Sequence, residues 1–139
     1  MKFPLVFLLF LTFGCTTGVK MRQVNYGALF HDGNSKVWML NKVMVGKKDF
    51  SPRYKNDKDI LIFYENGRCC FQPLKSLGEQ PGKKGEYSVF SAERSLTLYF
   101  KNEKWDFVLT TIEEDRIVMA PTKNSDLKYK LELIPLPEL

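Results

Sequence analysis

The feature of the sequence that most restricts its fold is a strict alternation of apolar and polar residues in short segments. In residues 95–101, Leu96, Leu98 and Phe100 alternate with Thr, Tyr and Lys, and residues 127–133 repeat the pattern. Because neighbouring side chains on a β-strand point to opposite faces, this alternation predicts strands with one buried face and one wet face, as in antiparallel sheets. No segment shows a sustained period of 3.6 residues, so no long helix is predicted.

Eight segments carry strand signals, and turn residues separate them. They are residues 36–45, 59–64, 68–74, 86–90, 95–101, 104–112, 116–121 and 127–134. A short extra element is expected before them, at residues 26–30. Most connections are hairpin-sized, and Asn66 followed by Gly67 is the dipeptide that favours a tight hairpin turn. Sequential strands joined by hairpins form a meander.

The predicted fold is therefore all-β: an antiparallel, eight-stranded up-and-down meander that closes into a barrel, because closure removes the exposed edges of the sheet. An open curved sheet or a sandwich is the alternative. The length of 139 residues suggests one domain. We assign the barrel to residues 35–135 and a C-terminal tail to residues 136–139. Eight strands enclose a space just wide enough for packed side chains or one small ligand.

The N-terminal segment resembles a bacterial lipoprotein signal. Lys2 is followed by an apolar run at residues 3–13, and a glycine directly precedes Cys15. The run fits a signal peptide and is shorter than the roughly 20 apolar residues that span a bilayer. The resemblance implies a signal peptide at residues 1–14, a lipidated Cys15, and a tether with a short N-terminal element at residues 15–34.

The polar stretch after Cys15 lacks the acidic cluster that resembles the surface-export signal of Bacteroidota lipoproteins. By this resemblance we expect the protein in the bacterial cell envelope, lipid-anchored in the outer membrane and facing the periplasm. Its formal net charge of +5 suits an anionic membrane surface or an acidic partner. The charges are too dispersed along the chain to indicate nucleic-acid binding.

Cys69 and Cys70 are neighbours inside a predicted strand. Strand neighbours point to opposite faces, which predicts one inward and one outward thiol. A vicinal disulfide with a redox role is the alternative. A zinc site is not predicted, because the chain has one histidine, His31, and no second cysteine pair.

The sequence contains no recognisable catalytic arrangement. His31 and Asp32 are neighbours in a turn-like stretch, without a positioned nucleophile. The acidic residues 113–115 lack the alternating oxygen ligands of a calcium loop, and the glycines of residues 78–85 lack the signature of a phosphate-binding loop. We therefore predict a non-enzymatic protein without a metal or a cofactor.

Trp38 in the first predicted strand, residues 43–47 and the eight-strand meander resemble the lipocalin-like lipoproteins of Bacteroidota. The resemblance covers roughly residues 34–134. It implies a small barrel with an early tryptophan, placed behind a signal peptide and a lipid anchor.

Two functions are compatible with these features. The first is a carrier of a small apolar molecule, for which the predicted ligand-lining residues are aromatic: Trp38, Phe63, Phe71, Phe100, Trp105 and Phe107. The second, which we favour, is a docking component of a larger envelope assembly, such as a secretion apparatus. Two basic loops supply its predicted docking rim: Lys47, Lys48, Lys83 and Lys84. The proline-rich residues 135–139 are either a docking tail or a blunt strand end.

Overall fold

The computed structural model describes residues 25–136. The predicted signal peptide at 1–14, Cys15 and residues 137–139 of the predicted tail lie outside this range. One short helix, α1 (Gly27–His31), precedes the strands. The strands are β1 (Ser35–Val45), β2 (Lys48–Asp49), β3 (Asp59–Tyr64), β4 (Arg68–Pro73), β5 (Lys83–Phe90), β6 (Ser95–Phe100), β7 (Glu103–Ile112), β8 (Ile117–Pro121) and β9 (Lys130–Pro135). No helix in residues 25–136 is long and apolar enough to cross a bilayer.

Eight of the strands form a closed antiparallel barrel. The sheet order is β1, β3, β4, β5, β6, β7, β8, β9, and β9 pairs back with β1. The closing register places Leu40 opposite Leu133 and Val43 opposite Leu131, with a bulge between Leu40 and Lys42. The predicted up-and-down barrel is therefore confirmed, and the open sheet is not formed. The remaining strand, β2, pairs only with the end of β1 and was not predicted.

Two strands begin three residues from their predicted starts, and the other strand bounds agree with the prediction to within one residue. β5 begins at Lys83 instead of residue 86, because Lys83 and Gly85 pair with Phe71 and Cys69 of β4. Glycine is required at position 85, where a Cβ atom would collide with the Tyr99 carbonyl oxygen. The last strand, β9, begins at Lys130 rather than at residue 127.

Alternate side chains of the eight barrel strands point inward and fill the lumen. Together with Phe30 of α1, the inward set forms one cluster of buried residues: Trp38, Leu40, Leu61, Phe63, Cys69, Leu96, Leu98, Phe100, Trp105, Phe107, Leu109, Ile117, Met119, Leu131 and Leu133. A void large enough for one water molecule beside Trp38, Phe63 or Phe107 would leave accessible surface on these side chains. They are 0% exposed, so the lumen around them is packed with protein atoms.

The helix α1 closes one end of the barrel. Its Phe30 side chain enters the lumen, where the ring lies edge-on to Phe63 with centroids 4.9 Å apart. The Trp38 indole Nε1–H donates to the Phe30 carbonyl oxygen over 3.0 Å. The short element expected at residues 26–30 is thus a helical plug that belongs to the core.

A second apolar cluster lies on the outer face of the barrel. Met39, Ile60, Ile62 and Cys70 are buried there. Leu136 packs against this cluster, and its N–H donates to the Val37 carbonyl oxygen over 3.1 Å. The predicted C-terminal tail therefore begins with a residue that is still bound to the sheet.

Candidate functional site at the basic end of the barrel

Alternate connections of an up-and-down barrel lie at opposite ends, so the strand order assigns each connection to one end. One end carries residues 46–58, 74–82, 101–102 and 122–129. These connections contain nine lysines and arginines against four acidic residues. We call this end the basic end.

The opposite end carries residues 32–34, 65–67, 91–94 and 113–116. Its connections contain six acidic residues and two arginines, and we call it the acidic end. The chain enters the barrel here, because the Tyr26 N–H donates to Ser91 Oγ over 3.1 Å and α1 closes this end. The two ends of the barrel therefore carry opposite charge.

The predicted rim residues Lys47 and Lys48 lie on a hairpin at the basic end. β2 folds back on β1, with Val45 opposite Lys48, and the turn between them requires the positive φ of Gly46 (58°). Beyond the paired residues, the Phe50 N–H donates to the Val43 carbonyl oxygen over 2.8 Å. The two lysines are thus presented by a hydrogen-bonded hairpin.

Side-chain hydrogen bonds hold the base of this hairpin. The Val43 N–H donates to Ser51 Oγ over 2.8 Å, and the Ser51 N–H donates to Asp49 Oδ1 over 2.8 Å. Hydrogen bonds from Ser51 hold the pKa of Asp49 below its usual value. The carboxylate of Asp49, which directly follows the lysine pair, is therefore hydrogen-bonded to the backbone of the hairpin at Ser51.

Four large apolar or aromatic side chains are exposed at the basic end. Val45 is 44% exposed, Phe50 54%, Tyr54 65% and Leu77 43%. The Phe50 ring stands edge-on to Tyr129 with centroids 5.8 Å apart. The single-turn 3-10 helices of the two large loops, Lys55–Asp57 and Leu74–Ser76, contact each other, so the loops form one continuous surface. Cations and exposed apolar groups are intermixed on that surface.

The other predicted rim residues, Lys83 and Lys84, are not in a loop. They are the first two residues of β5, at the same end of the barrel. Lys83 forms an ion pair with Glu103, and its ammonium lies 4.9 Å from the centroid of the Phe100 ring. Lys84 pairs with Cys70 and is exposed. Lys83 is thus engaged at the mouth of the lumen, whereas Lys84 is on the outside.

The six predicted ligand-lining residues all belong to the inner cluster or pack against it: Trp38, Phe63, Phe71, Phe100, Trp105 and Phe107. At the basic end, Trp105 lies edge-on to Phe71 and Phe100, with centroids 5.1 and 4.7 Å away. Aromatic pairs in this geometry attract one another. These rings contact each other, as core residues do.

One polar atom among these rings has no hydrogen-bond partner in the described structure. It is the Trp105 indole Nε1–H, which is unpaired in a residue that is only 3% exposed. A buried donor without an acceptor is costly, and such groups are rare in native proteins.

The two neighbouring cysteines point in opposite directions, as predicted. Cys69 belongs to the inner cluster and Cys70 to the outer one, and both thiols are free. Burial, with smaller contributions from Cys70 and Glu86, raises the pKa of Cys69 to about 12. Burial also raises the pKa of Cys70, against a hydrogen bond from the Gly82 backbone and the charge of Lys84.

His31 and the acidic residues 113–115 lie at the acidic end. His31 Nδ1 accepts the Gly33 N–H over 2.9 Å, which is a local turn contact. Residues 113–115 are exposed. Within residues 25–136, no three His, Cys, Asp or Glu side chains are grouped as a metal site would require.

Comparisons with family models, with curated proteins and with solved structures found no match. The assignment of the site therefore depends on the residues of this chain alone.

Sequence reasoning missed Phe50, Tyr54 and the hairpin, because these residues have the composition of an ordinary loop. Counting charges in alternate connections of the predicted meander would have found the polarity of the two ends.

Proposed function

We propose that the protein is a non-enzymatic docking component of a larger envelope assembly. A lipid on Cys15 holds it at the periplasmic face of the outer membrane, and the basic end of the barrel contacts an anionic component of the assembly. The observation that carries this proposal is the surface of the basic end, where exposed lysines alternate with four exposed apolar side chains. Apolar area supplies affinity, and the cations supply attraction and orientation.

The packed lumen supports docking over transport of a ligand. A carrier of a drug-sized molecule needs a pocket of roughly 300 Å³ or more. Trp38, Phe63 and Phe107 are 0% exposed, which leaves no space beside them. The surface that remains for binding is the outside of the barrel, including its loops.

Carriage of a small apolar molecule is the second candidate, and Trp105 favours it. Its unpaired Nε1–H could donate to a ligand that enters between Phe71 and Phe100 at the mouth of the lumen. Such a ligand would have to displace the rings from their present contacts. The two candidates thus use different parts of the basic end.

Charge reversal tests the proposal. We expect Lys47→Glu with Lys48→Glu to abolish crosslinks between the protein and its partner in intact envelopes. Raising the salt concentration should weaken the same complex, because exposed charges are screened over ~8 Å at physiological ionic strength. Adding Lys83→Glu and Lys84→Glu extends the test to the whole predicted rim.

The matched control is reversal at the acidic end, Glu113→Lys with Glu114→Lys, which should leave the crosslinks in place. For the second candidate, Trp105→Ala should remove a stoichiometric small-molecule adduct seen by native mass spectrometry of protein from its own envelope. Crosslinks that survive reversal of all four lysines, in a protein that carries such an adduct, would replace docking by carriage.

A further inference from the structure

We infer that residues 45–58, which comprise the β1–β2 hairpin and the loop after it, form a binding surface for anionic lipid headgroups. The inference rests on the proposed function, since it names the anionic component that the basic end contacts. The barrel would lie with this end against the membrane, and the acidic end would point away from it.

The hairpin has the composition of a membrane-interface segment. Lys47 and Lys48 at its tip stand between two exposed apolar side chains, Val45 and Phe50, and Tyr54 follows in the loop. Lysines can keep their ammonium groups among headgroups while their stems and neighbouring aromatic rings enter the apolar boundary. The hydrogen bonds of the hairpin fix this arrangement before contact, so little ordering is needed on binding.

The type of cation favours lipid over an acidic protein. Of the nine basic residues in the connections of the basic end, eight are lysines and one is Arg53. Protein interfaces are enriched in arginine and depleted in lysine, because arginine gives directional, bidentate contacts. A lipid surface is a field of mobile negative charges, which lysines satisfy equally well.

The net positive charge of the segment also favours binding to an anionic lipid surface. Residues 46–58 contain five basic and two acidic side chains, and one of the acids, Asp49, is hydrogen-bonded to Ser51. Each lysine or arginine near an anionic membrane surface strengthens binding roughly fivefold. The six acidic residues at the other end are repelled by the same surface, so the polarity of the barrel selects one orientation.

The predicted tether is long enough for this orientation. The chain enters at the acidic end, so the tether must pass along the barrel to bring Cys15 to the same membrane. Ten residues, 15–24, can span up to roughly 35 Å. The longest strand, β1, has eleven residues and rises roughly 36 Å along its own axis, which a strand tilt of about 40° reduces to roughly 28 Å along the barrel axis. The anchor and the hairpin tip can therefore reach one membrane surface together.

The experiment uses two matched reporter positions in the full chain, purified from its own membranes and reconstituted into vesicles. A polarity-sensitive fluorophore is attached to Phe50→Cys or to Phe90→Cys, each in a background with Cys69→Ala and Cys70→Ser so that the native thiols take no label. The two positions replace side chains that are 54% and 53% exposed at the basic and acidic ends. Vesicles contain phosphatidylglycerol and phosphatidylethanolamine, or phosphatidylcholine alone. Circular dichroism confirms that each labelled protein is folded.

We expect quenching by headgroup-labelled lipid to be at least about threefold stronger at position 50 than at position 90 in anionic vesicles, and equally weak at both in neutral vesicles. Lys47→Glu with Lys48→Glu should remove the difference, whereas Glu113→Lys with Glu114→Lys should not. Equal quenching at position 50 in both kinds of vesicle would overturn the inference of anionic selectivity.

The outcomes separate this inference from the proposed function. Absence of quenching at position 50, with protein crosslinks that are still lost on charge reversal, means that the partner of the basic end is an acidic protein. That result overturns the lipid inference and leaves docking in place. If charge reversal changes neither the quenching nor the crosslinks, both proposals are wrong.

Discussion

Two tryptophans in the same lumen differ in one hydrogen bond. Trp38 donates its indole N–H to the Phe30 carbonyl oxygen, whereas the Trp105 N–H has no partner among residues 25–136. Both residues are buried, and both contact other aromatic rings. Comparing the two residues therefore measures how much one buried hydrogen bond contributes to the free energy of unfolding.

We expect Trp38→Phe to destabilise the fold more than Trp105→Phe does, by about 1–2 kcal/mol. Both changes remove a similar volume, but only the first breaks a hydrogen bond and leaves a carbonyl oxygen unpaired. Denaturant unfolding of the two variants measures the difference. Equal free energies of unfolding would mean that Trp105 has an acceptor, such as a bound water molecule or a ligand.

The vicinal cysteines make a prediction about reactivity. A pKa of about 12 for Cys69, against an ordinary 9.0, lowers its thiolate fraction near pH 8 by about a thousandfold. Cys70 has a raised pKa too, but its thiol is on the outer face. Iodoacetamide should therefore label the native protein slowly, at Cys70 before Cys69, and faster as the pH rises.

Mass spectrometry of alkylated, unreduced protein reads the order of labelling directly, with urea-unfolded protein as the control in which both thiols react. A stoichiometric Cys69–Cys70 disulfide in the native sample would contradict the view that these two residues only pack. Cysteine chemistry would then have to be included in the function.

At the scale of elements, the closing strands are joined by one carboxylate. Glu132 on β9 accepts from Asn41 Nδ2 over 2.8 Å, beside the bulge of β1, and from Arg116 Nε over 3.1 Å, just before β8. Burial alone raises the pKa of Glu132, but these hydrogen bonds and the nearby charge of Lys42 hold it below its usual value. The residue therefore links three chain segments around the seam of the barrel.

Glu132→Gln should lower the free energy of unfolding by about 1 kcal/mol at pH 7, since Arg116 is half exposed and solvent screens the pair. A carboxyl group with a lowered folded-state pKa stabilises the fold above its unfolded value of 4.5 and loses this contribution as the pH falls. The difference between variant and parent should therefore disappear in acid. A constant difference in melting temperature from pH 7 to pH 3 would contradict this account.

The strand bounds show how far a local pattern reaches. Strand signals between turn residues predicted β3 to the residue, and alternation predicted β6 within one residue of its observed end. The first residues of β5, Lys-Lys-Gly, have no apolar alternation and look like a loop. They are a strand because β4, about fifteen residues earlier in the sequence, pairs with them. Pairing between separated segments is a tertiary effect, and no local pattern contains it.

At the scale of the whole molecule, the polarity of the two ends follows from the sequence once a meander is assumed. One end has nine basic and four acidic residues, and the other has two basic and six acidic residues. To obtain these counts it is enough to know that successive connections of a meander lie at alternate ends of the barrel. The exposure of Phe50 and Tyr54 could not be predicted, because apolar residues in a loop can equally fold onto the core. Whether the lumen is packed or hollow could not be predicted from the sequence, because the same inward rings could line a pocket or fill it.

The anchor is also a prediction at this scale. Cys15→Ala should abolish incorporation of labelled palmitate and release the protein from the membrane fraction, because the two or three acyl chains proposed at this residue would supply the stable attachment. Cells expressing the unchanged protein serve as the control. A variant that still takes up palmitate and remains in membranes would show that the anchor has been placed at the wrong residue.

A pulling force on the chain before residue 25 reaches the barrel through α1. The packed Phe30 ring and the Trp38 N–H that donates to the Phe30 carbonyl oxygen pass the load to β1. β1 is paired with β3 on one side and β9 on the other, and the hydrogen bonds of antiparallel strands run across the strand axis. When the opposing load acts at the basic end, these bonds are loaded in shear and share the force, instead of opening one after another. Because forced unfolding is governed by the unfolding rate, this geometry should lengthen the lifetime of a barrel pulled between its N-terminal chain and its basic end.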